Sequence, residues 1–263
     1  MPPGGFDCLY VSPLADVAAR SCGQRIAWET GHGLKILLVD VFGEPGPSPP
    51  EATRSVALGI PAAPLRYSGY TSLRARVEDR VAEDEPALDR TAVLLDEVAR
   101  RTRAVHIYAP LGVGADIDHR LAHEAALRAF RAAARRNVFF YEERPQRAVP
   151  GAVRLRLASI GAQLPPAAAN AVRRAGKMRF LVRFLLSSQV RRQGKGLSDR
   201  MAGARAAARQ WKAARAWRPL RALGPRFQPV DQEVAPSGVQ RFWLLVPGKP
   251  SPGVVVEPEA VGL

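Results

Sequence analysis

The chain is poor in sulfur, in rings and in long apolar runs. Only two cysteines, Cys8 and Cys22, occur in 263 residues. That excludes a disulfide scaffold and makes a reduced, cytoplasmic setting the expectation. Aromatic residues make up 7%, and no Cys/His finger and no aromatic-rich platform for single strands accompanies them, so no nucleic-acid motif is present. No apolar run approaches the roughly 18 residues a membrane span requires. The opening MPPGGFDCLY lacks a basic start and a long apolar stretch, and does not read as a signal peptide.

What is there is ordinary for a folded domain. Hydrophobic residues reach 47% and charged residues 24%, enough apolar surface to exclude a wholly disordered chain. The net charge of +15 is unevenly placed. Residues 151–225 carry 17 Lys and Arg against one acid, Asp199. Residues 1–150 balance, with 19 of each sign, and residues 226–263 carry 3 basic and 4 acidic groups. Charge so placed speaks to partners and solubility, not to fold.

Apolar runs and helical stripes alternate along the first half. Phe6–Ser12, Leu34–Phe42, Ala104–Ala109 and Asn137–Tyr141 read as buried strands. Asp16–Thr30, Ser72–Thr102 and Asp116–Ala134 read as helices, the second interrupted near Pro86. Glu44–Glu51 is too rich in proline for either element. Alternation of this kind predicts a three-layer, Rossmann-like α/β domain with a mostly parallel sheet. Ligands in such sheets sit beyond the carboxyl ends of the strands, which singles out Ser12–Val17, Pro110–His119 and Glu142–Pro150. After residue 150 the pattern predicts helices over Ala167–Ser187 and Asp199–Leu223, a late strand at Val239–Val246, and a loose tail from Pro247. The expected organisation is one domain over 1–263, with an α/β core at 6–150, a basic helical segment at 151–225 and the late strand and tail at 226–263.

Three strand-end stretches carry a resemblance. S-P-L-A-D-V-A-A-R-S-C-G runs from Ser12, P-L-G-V-G-A-D-I-D-H-R from Pro110, and Y-E-E-R-P from Tyr141. In order, spacing and position they resemble the LmbE-like (PIG-L) family of zinc-dependent N-deacetylases. That family has an H-P-D-D motif followed by C-G-G, then P-L-G-x-G-G-H-x-D-H-R, then Y-E-D/E-x-P. The resemblance implies the family's Rossmann-like fold. It also implies a hydrolase chemistry in which three ligands hold a zinc with one open position, and a neighbouring carboxylate acts as base.

Carried over position by position, the metal site is degenerate. The family's first ligand, a His, falls on Leu14 and its ligand Asp falls on Val17, whereas the base position is kept as Asp16. The assisting His falls on Asp116, and the third ligand is kept as His119. An aliphatic side chain has no lone pair for a metal, and a bare cation beside carbon carries a large desolvation cost. The reading is therefore a non-catalytic or ligand-binding relative, with no cofactor expected and a small sugar-like ligand as partner, Asp118 and Glu142 lining its pocket. The alternative is an active N-deacetylase acting on an N-acetylated amino sugar or related small molecule. It would hold zinc in a rearranged site to which His123 contributes with Asp16, Asp116 and His119.

Each retained residue also has a plain structural role open to it. Asp16 and Asp116 stand where helix caps stand, Asp118 falls in a first turn, and His119 can bond to Asp116 one turn back. Cys22 has the spacing of a small core residue, and Glu142 and Glu143 close a strand end as a solvated loop would. In the basic segment Arg205, Arg209 and Lys212 share one helix face. Residues 169–223 offer an anionic partner a surface, against the plainer reading of a solvated face.

Overall fold

In the computed structural model, residues 5–42, 53–62, 85–113, 116–131, 136–144, 149, 151–173, 196–216, 224–234 and 238–247 are described. Among them the chain runs β1 (Cys8–Ser12), α1 (Val17–Gly31), β2 (Ile36–Phe42), β3 (Thr53–Ile60), α2 (Glu85–Thr102), β4 (His106–Pro110), α3 (Ile117–Phe130) and β5 (Asn137–Tyr141). It continues through α4 (Ala152–Ser159), α5 (Pro166–Arg173), α6 (Leu197–Ala216), β6 (Arg226–Val234) and β7 (Gly238–Val246). The sheet has seven strands in the order β3-β2-β1-β4-β5-β7-β6. The first five are mutually parallel, and β7 runs antiparallel to both β5 and β6.

The parallel strands are buried because helices cover both faces, so their side chains are apolar on both sides. Leu9 and Val11 of β1 point into one cluster, with Leu95 and Val98 of α2 and Leu121 and Ala125 of α3. Cys8 and Tyr10, in alternate register, point into the other, with Val17, Ala18 and Cys22 of α1. This is the three-layer, Rossmann-like architecture expected. On the α1 face the Tyr10 and Tyr108 rings stack at 4.3 Å. Their hydroxyls donate to the buried Glu29 carboxylate at 2.7 and 2.8 Å. Arg25 Nε donates to the same group at 2.9 Å, so the carboxylate is paired and hydrogen-bonded, as burial demands.

Several elements differ from expectation. β3 and β6 are strands the hydrophobic pattern did not isolate: β3 alternates only weakly, and β6 carries Pro229, Asp231 and Glu233. An edge position explains β6, since only one of its sides must supply a ladder. α4 also escaped notice, being two turns long with Arg154 and Arg156 in its middle. α2, by contrast, begins at Glu85, beside the expected interruption, with Pro86 in its first turn, where its missing N–H costs nothing. The predicted helical stretches 72–84, 132–134, 174–187 and 217–223, the loop at 44–51 and the tail beyond 247 lie outside the described residues. None of the described helices is long and apolar enough to cross a membrane.

Candidate functional site

The strand order reverses between β1 and β4, and in open α/β sheets the ligand crevice opens beyond the carboxyl ends at such a point. Two loops flank it, residues 13–16 and 111–116, with the chain leaving β5 at residue 142 beside the second.

The first loop is closed largely by carbon. Val17 is 4% exposed and belongs to the apolar cluster under α1, and Leu14 packs against the clusters on both faces of the sheet. Asp16 occupies the N-cap position of α1 but its side chain makes no capping bond. Its carboxylate is 59% exposed and pairs with Arg20 one turn on. The expectation that Asp16 caps α1 is thus corrected: Ser12 does it. Ser12 Oγ accepts from the Ala18 N–H at 3.0 Å and donates to the Leu14 carbonyl. The backbone of Asp16 is nearly helical, at φ −116° and ψ −4°, so its side chain does not reach back over the free N–H groups as an extended N-cap residue does.

The described residues of the second loop are held by polar contacts. Asp116 caps α3, accepting from Asp118 N–H at 3.2 Å, and Asp118 is buried. His119 does not bond to Asp116. Its Nδ1 faces Glu143 Oε1 at 3.3 Å, and Asp116 acts on it only as a nearby charge. Burial would push the His119 pKa down, but the bond and charge of Glu143, with Asp116 and Asp118, outweigh it and hold the pKa above the ordinary value. Glu143 Oε2 accepts from the Val113 N–H at 3.1 Å, so this carboxylate ties the loop to the helix.

Glu143 is fully buried, which corrects the reading of 142–143 as a solvated loop. Glu142, the expected pocket residue, is half-buried and accepts from Trp243 Nε1 at 2.9 Å. The third stretch was legible as a motif, but which of two adjacent carboxylates turns inward depends on how the chain leaves β5. Tyr141 anchors that exit by donating its hydroxyl to the Val11 carbonyl at 2.8 Å.

His123 lies behind the site. Its Nδ1–H donates to the Pro110 carbonyl at 3.0 Å, and burial together with the nearby Arg156 charge pushes its pKa well down. Arg156, which no motif pointed to, is 4% exposed. Its Nε donates to the Leu111 carbonyl at 2.9 Å and its Nη2 to Glu124 at 3.1 Å. Gly112 lies directly over the guanidinium: its φ is +74°, and a Cβ there would stand 3.0 Å from Arg156 Nε. Here glycine is required both by the left-handed backbone and by the close approach.

Do these residues fit a zinc ion? Positions 14 and 17 offer only carbon, and Asp16 is turned out to Arg20. His123 donates its Nδ1–H to a carbonyl, which leaves its buried Nε2 without a hydrogen-bond partner and free to ligate. Among the described residues no three His, Cys, Asp or Glu side chains stand close enough to hold a metal. The described donors thus do not match the three ligand positions of the resembling family. Arg205, Arg209 and Lys212 are exposed on α6, which packs against α4.

No family model matches the chain, and no curated protein does. Solved structures do. The zinc-inhibited form of a teicoplanin deacetylase aligns over 93% of this chain and 99% of its own, at 16% identity and a TM-score of 0.50. A deacetylase of the A40926 pseudoaglycone aligns over 92% and 97%, at 12% identity and a TM-score of 0.42. A conserved protein from Thermus thermophilus is 22% identical over 52% of this chain and 66% of that one, with a TM-score of 0.36. The chain has the LmbE/PIG-L deacetylase-like fold.

Proposed function

We propose that the protein is a deacetylase-fold relative that has lost the three-ligand zinc centre and uses the crevice between β1 and β4 to hold a small sugar-like ligand. The observation that carries this reading is Val17. It is 4% exposed within an apolar cluster, at the position where the resembling family needs a metal-binding carboxylate. A charge could enter there only against a large desolvation cost. In this reading the strand-end crevice of the fold takes the ligand, and Asp118 and Glu142 are the polar groups offered to it.

One observation favours the alternative, a working N-deacetylase with a rearranged metal site. A carboxylate on Nδ1 is the usual support of a metal-binding imidazole, and His119 has it in Glu143. Elemental analysis of the purified protein, paired with a hydrolysis assay on N-acetylglucosamine conjugates, separates the two. The expected outcome is no stoichiometric zinc and no hydrolysis. About one tightly held zinc per chain with turnover would overturn the proposal and bring Asp16, Asp116, His119 and His123 forward as ligand candidates.

A further inference from the structure

Helix α6 divides its residues sharply between two faces. Ala206, Ala207, Trp211 and Ala214 are buried, and the Arg154 guanidinium lies 5.6 Å from the Trp211 ring. Leu197, Met201, Arg205, Arg209 and Lys212 are exposed. At about 100° per residue these five fall within an arc of about 120°, opposite the buried set. The only acid of the helix, Asp199, lies off that arc. Leu197 is 77% exposed and Met201 44%, which is unusual for large apolar side chains set one turn apart on one stripe.

We propose that the outer face of α6 docks on an anionic phospholipid bilayer, with Leu197 and Met201 entering the boundary between headgroups and acyl chains and Arg205, Arg209 and Lys212 lying against lipid phosphates. Charge complementarity is the first argument. The exposed arc carries three cations, Arg205, Arg209 and Lys212, and no acid, and cations near such a surface bind additively. The apolar pair is the second. Against a nucleic-acid backbone Leu197 and Met201 would gain little, whereas a bilayer interface takes apolar side chains and cations in one row along a helix lying flat. Arg and Lys also reach a headgroup while laying their methylenes along the apolar zone. This docking stands whether or not the crevice hydrolyses anything.

Co-sedimentation of the full chain with phosphatidylcholine vesicles, with and without phosphatidylserine, tests it. Binding should require phosphatidylserine and weaken as salt rises. Neutralising Arg205, Arg209 or Lys212 to Gln should each lower partitioning about fivefold, and all three together about a hundredfold. Leu197→Ser with Met201→Ser should lower it about tenfold at every salt concentration. All five sites are exposed, so the variants should stay folded with melting temperatures within a few degrees of the parent, and Arg205→Lys with Arg209→Lys should keep binding. Equal sedimentation with neutral and anionic vesicles overturns the proposal. So does unchanged vesicle binding by the Leu197/Met201 variant. Duplex DNA bound with a steep salt slope by parent and Leu197/Met201 variant alike, with no vesicle binding, overturns it in favour of nucleic acid.

Discussion

The two loops that flank the crevice have the same place in the topology and opposite construction. Each joins a parallel strand to a helix, at the ends of β1 and β4. The first is filled by Leu14 and Val17, and its one carboxylate, Asp16, faces solvent. The described part of the second pairs its polar groups internally: Pro110 and Leu111 carbonyls with His123 and Arg156, the Val113 N–H with Glu143, and Glu143 with His119. A strand-to-helix turn can thus be held by carbon or by paired polar groups, and only the second kind keeps an oriented imidazole. Under the proposed reading the family's ligands would come from both loops, so apolar residues in the first alone would leave the site without its metal.

Arg156→Met should test the polar loop most severely. It leaves the Leu111 carbonyl without its buried donor and Glu124 without its partner, at a cost of about 3 kcal/mol, lessened because Glu124 is partly exposed. Urea unfolding of parent and variant measures this. A loss under about 1 kcal/mol would show that the loop does not depend on the guanidinium. Gly112→Ala, which crowds the same group, should cost about 1–3 kcal/mol by the same measurement.

The complementary change rebuilds polarity in the apolar loop. Leu14→His with Val17→Asp should destabilise the metal-free protein by about 2–3 kcal/mol, because a carboxylate replaces a buried apolar side chain. Zinc should then raise its melting temperature by linkage, using His119 as the third ligand. Thermal melts with and without zinc decide it. A folded double variant indifferent to zinc would mean that positions 14, 17 and 119 do not converge.

Glu143→Gln separates His119 from its charge partner. The His119 pKa is raised, so the pair stabilises the fold below the ordinary histidine value, and that contribution is lost as pH rises through the raised pKa. His123 has the opposite sign: its pKa is depressed, so its contribution is present above the ordinary value and lost as pH falls through the depressed one. Imidazole NMR titration should find His119 above and His123 well below about 6.5. In Glu143→Gln the His119 midpoint should fall while that of His123 stays in place. A His119 midpoint unmoved by this change would disprove the pairing.

The smallest effects sharpen the difference between Ser12 and Asp16. Ser12→Ala removes the cap of α1 and should cost about 1 kcal/mol. Asp16→Ala breaks only an exposed ion pair and should stay within about 0.5 kcal/mol. Matched chemical denaturation curves rank them, and the reverse order would return the capping role to Asp16.

Much of the fold was legible because the α/β alternation leaves strong periodic traces. β5 falls at Asn137–Tyr141 as read, and the ends of β1 and β2 fall at Ser12 and Phe42. What escaped lacked such traces: β6 is an edge strand with acids and a proline, and α4 is too short to show a period. The candidate site was legible as three stretches, not as contacts. Leu14 and Val17 announce positions without metal donors by side-chain chemistry alone. Nothing in one dimension distinguishes Glu143 from Glu142, or marks Arg156 as the group beneath Gly112, some 44 residues away in the chain.

Local chemistry and period thus determined the layers, the strand-end loops and the absence of metal donors at positions 14 and 17, because a side chain carries its lone pairs or its carbon wherever the fold puts it. Tertiary structure alone decided which polar groups meet. Ser12 rather than Asp16 reaches the Ala18 N–H, Glu143 rather than Asp116 holds His119, and His123 serves a carbonyl. Such pairings span contacts from neighbouring residues to distant strands and turn on distances near 3 Å, which only the packing of the sheet against its helices sets.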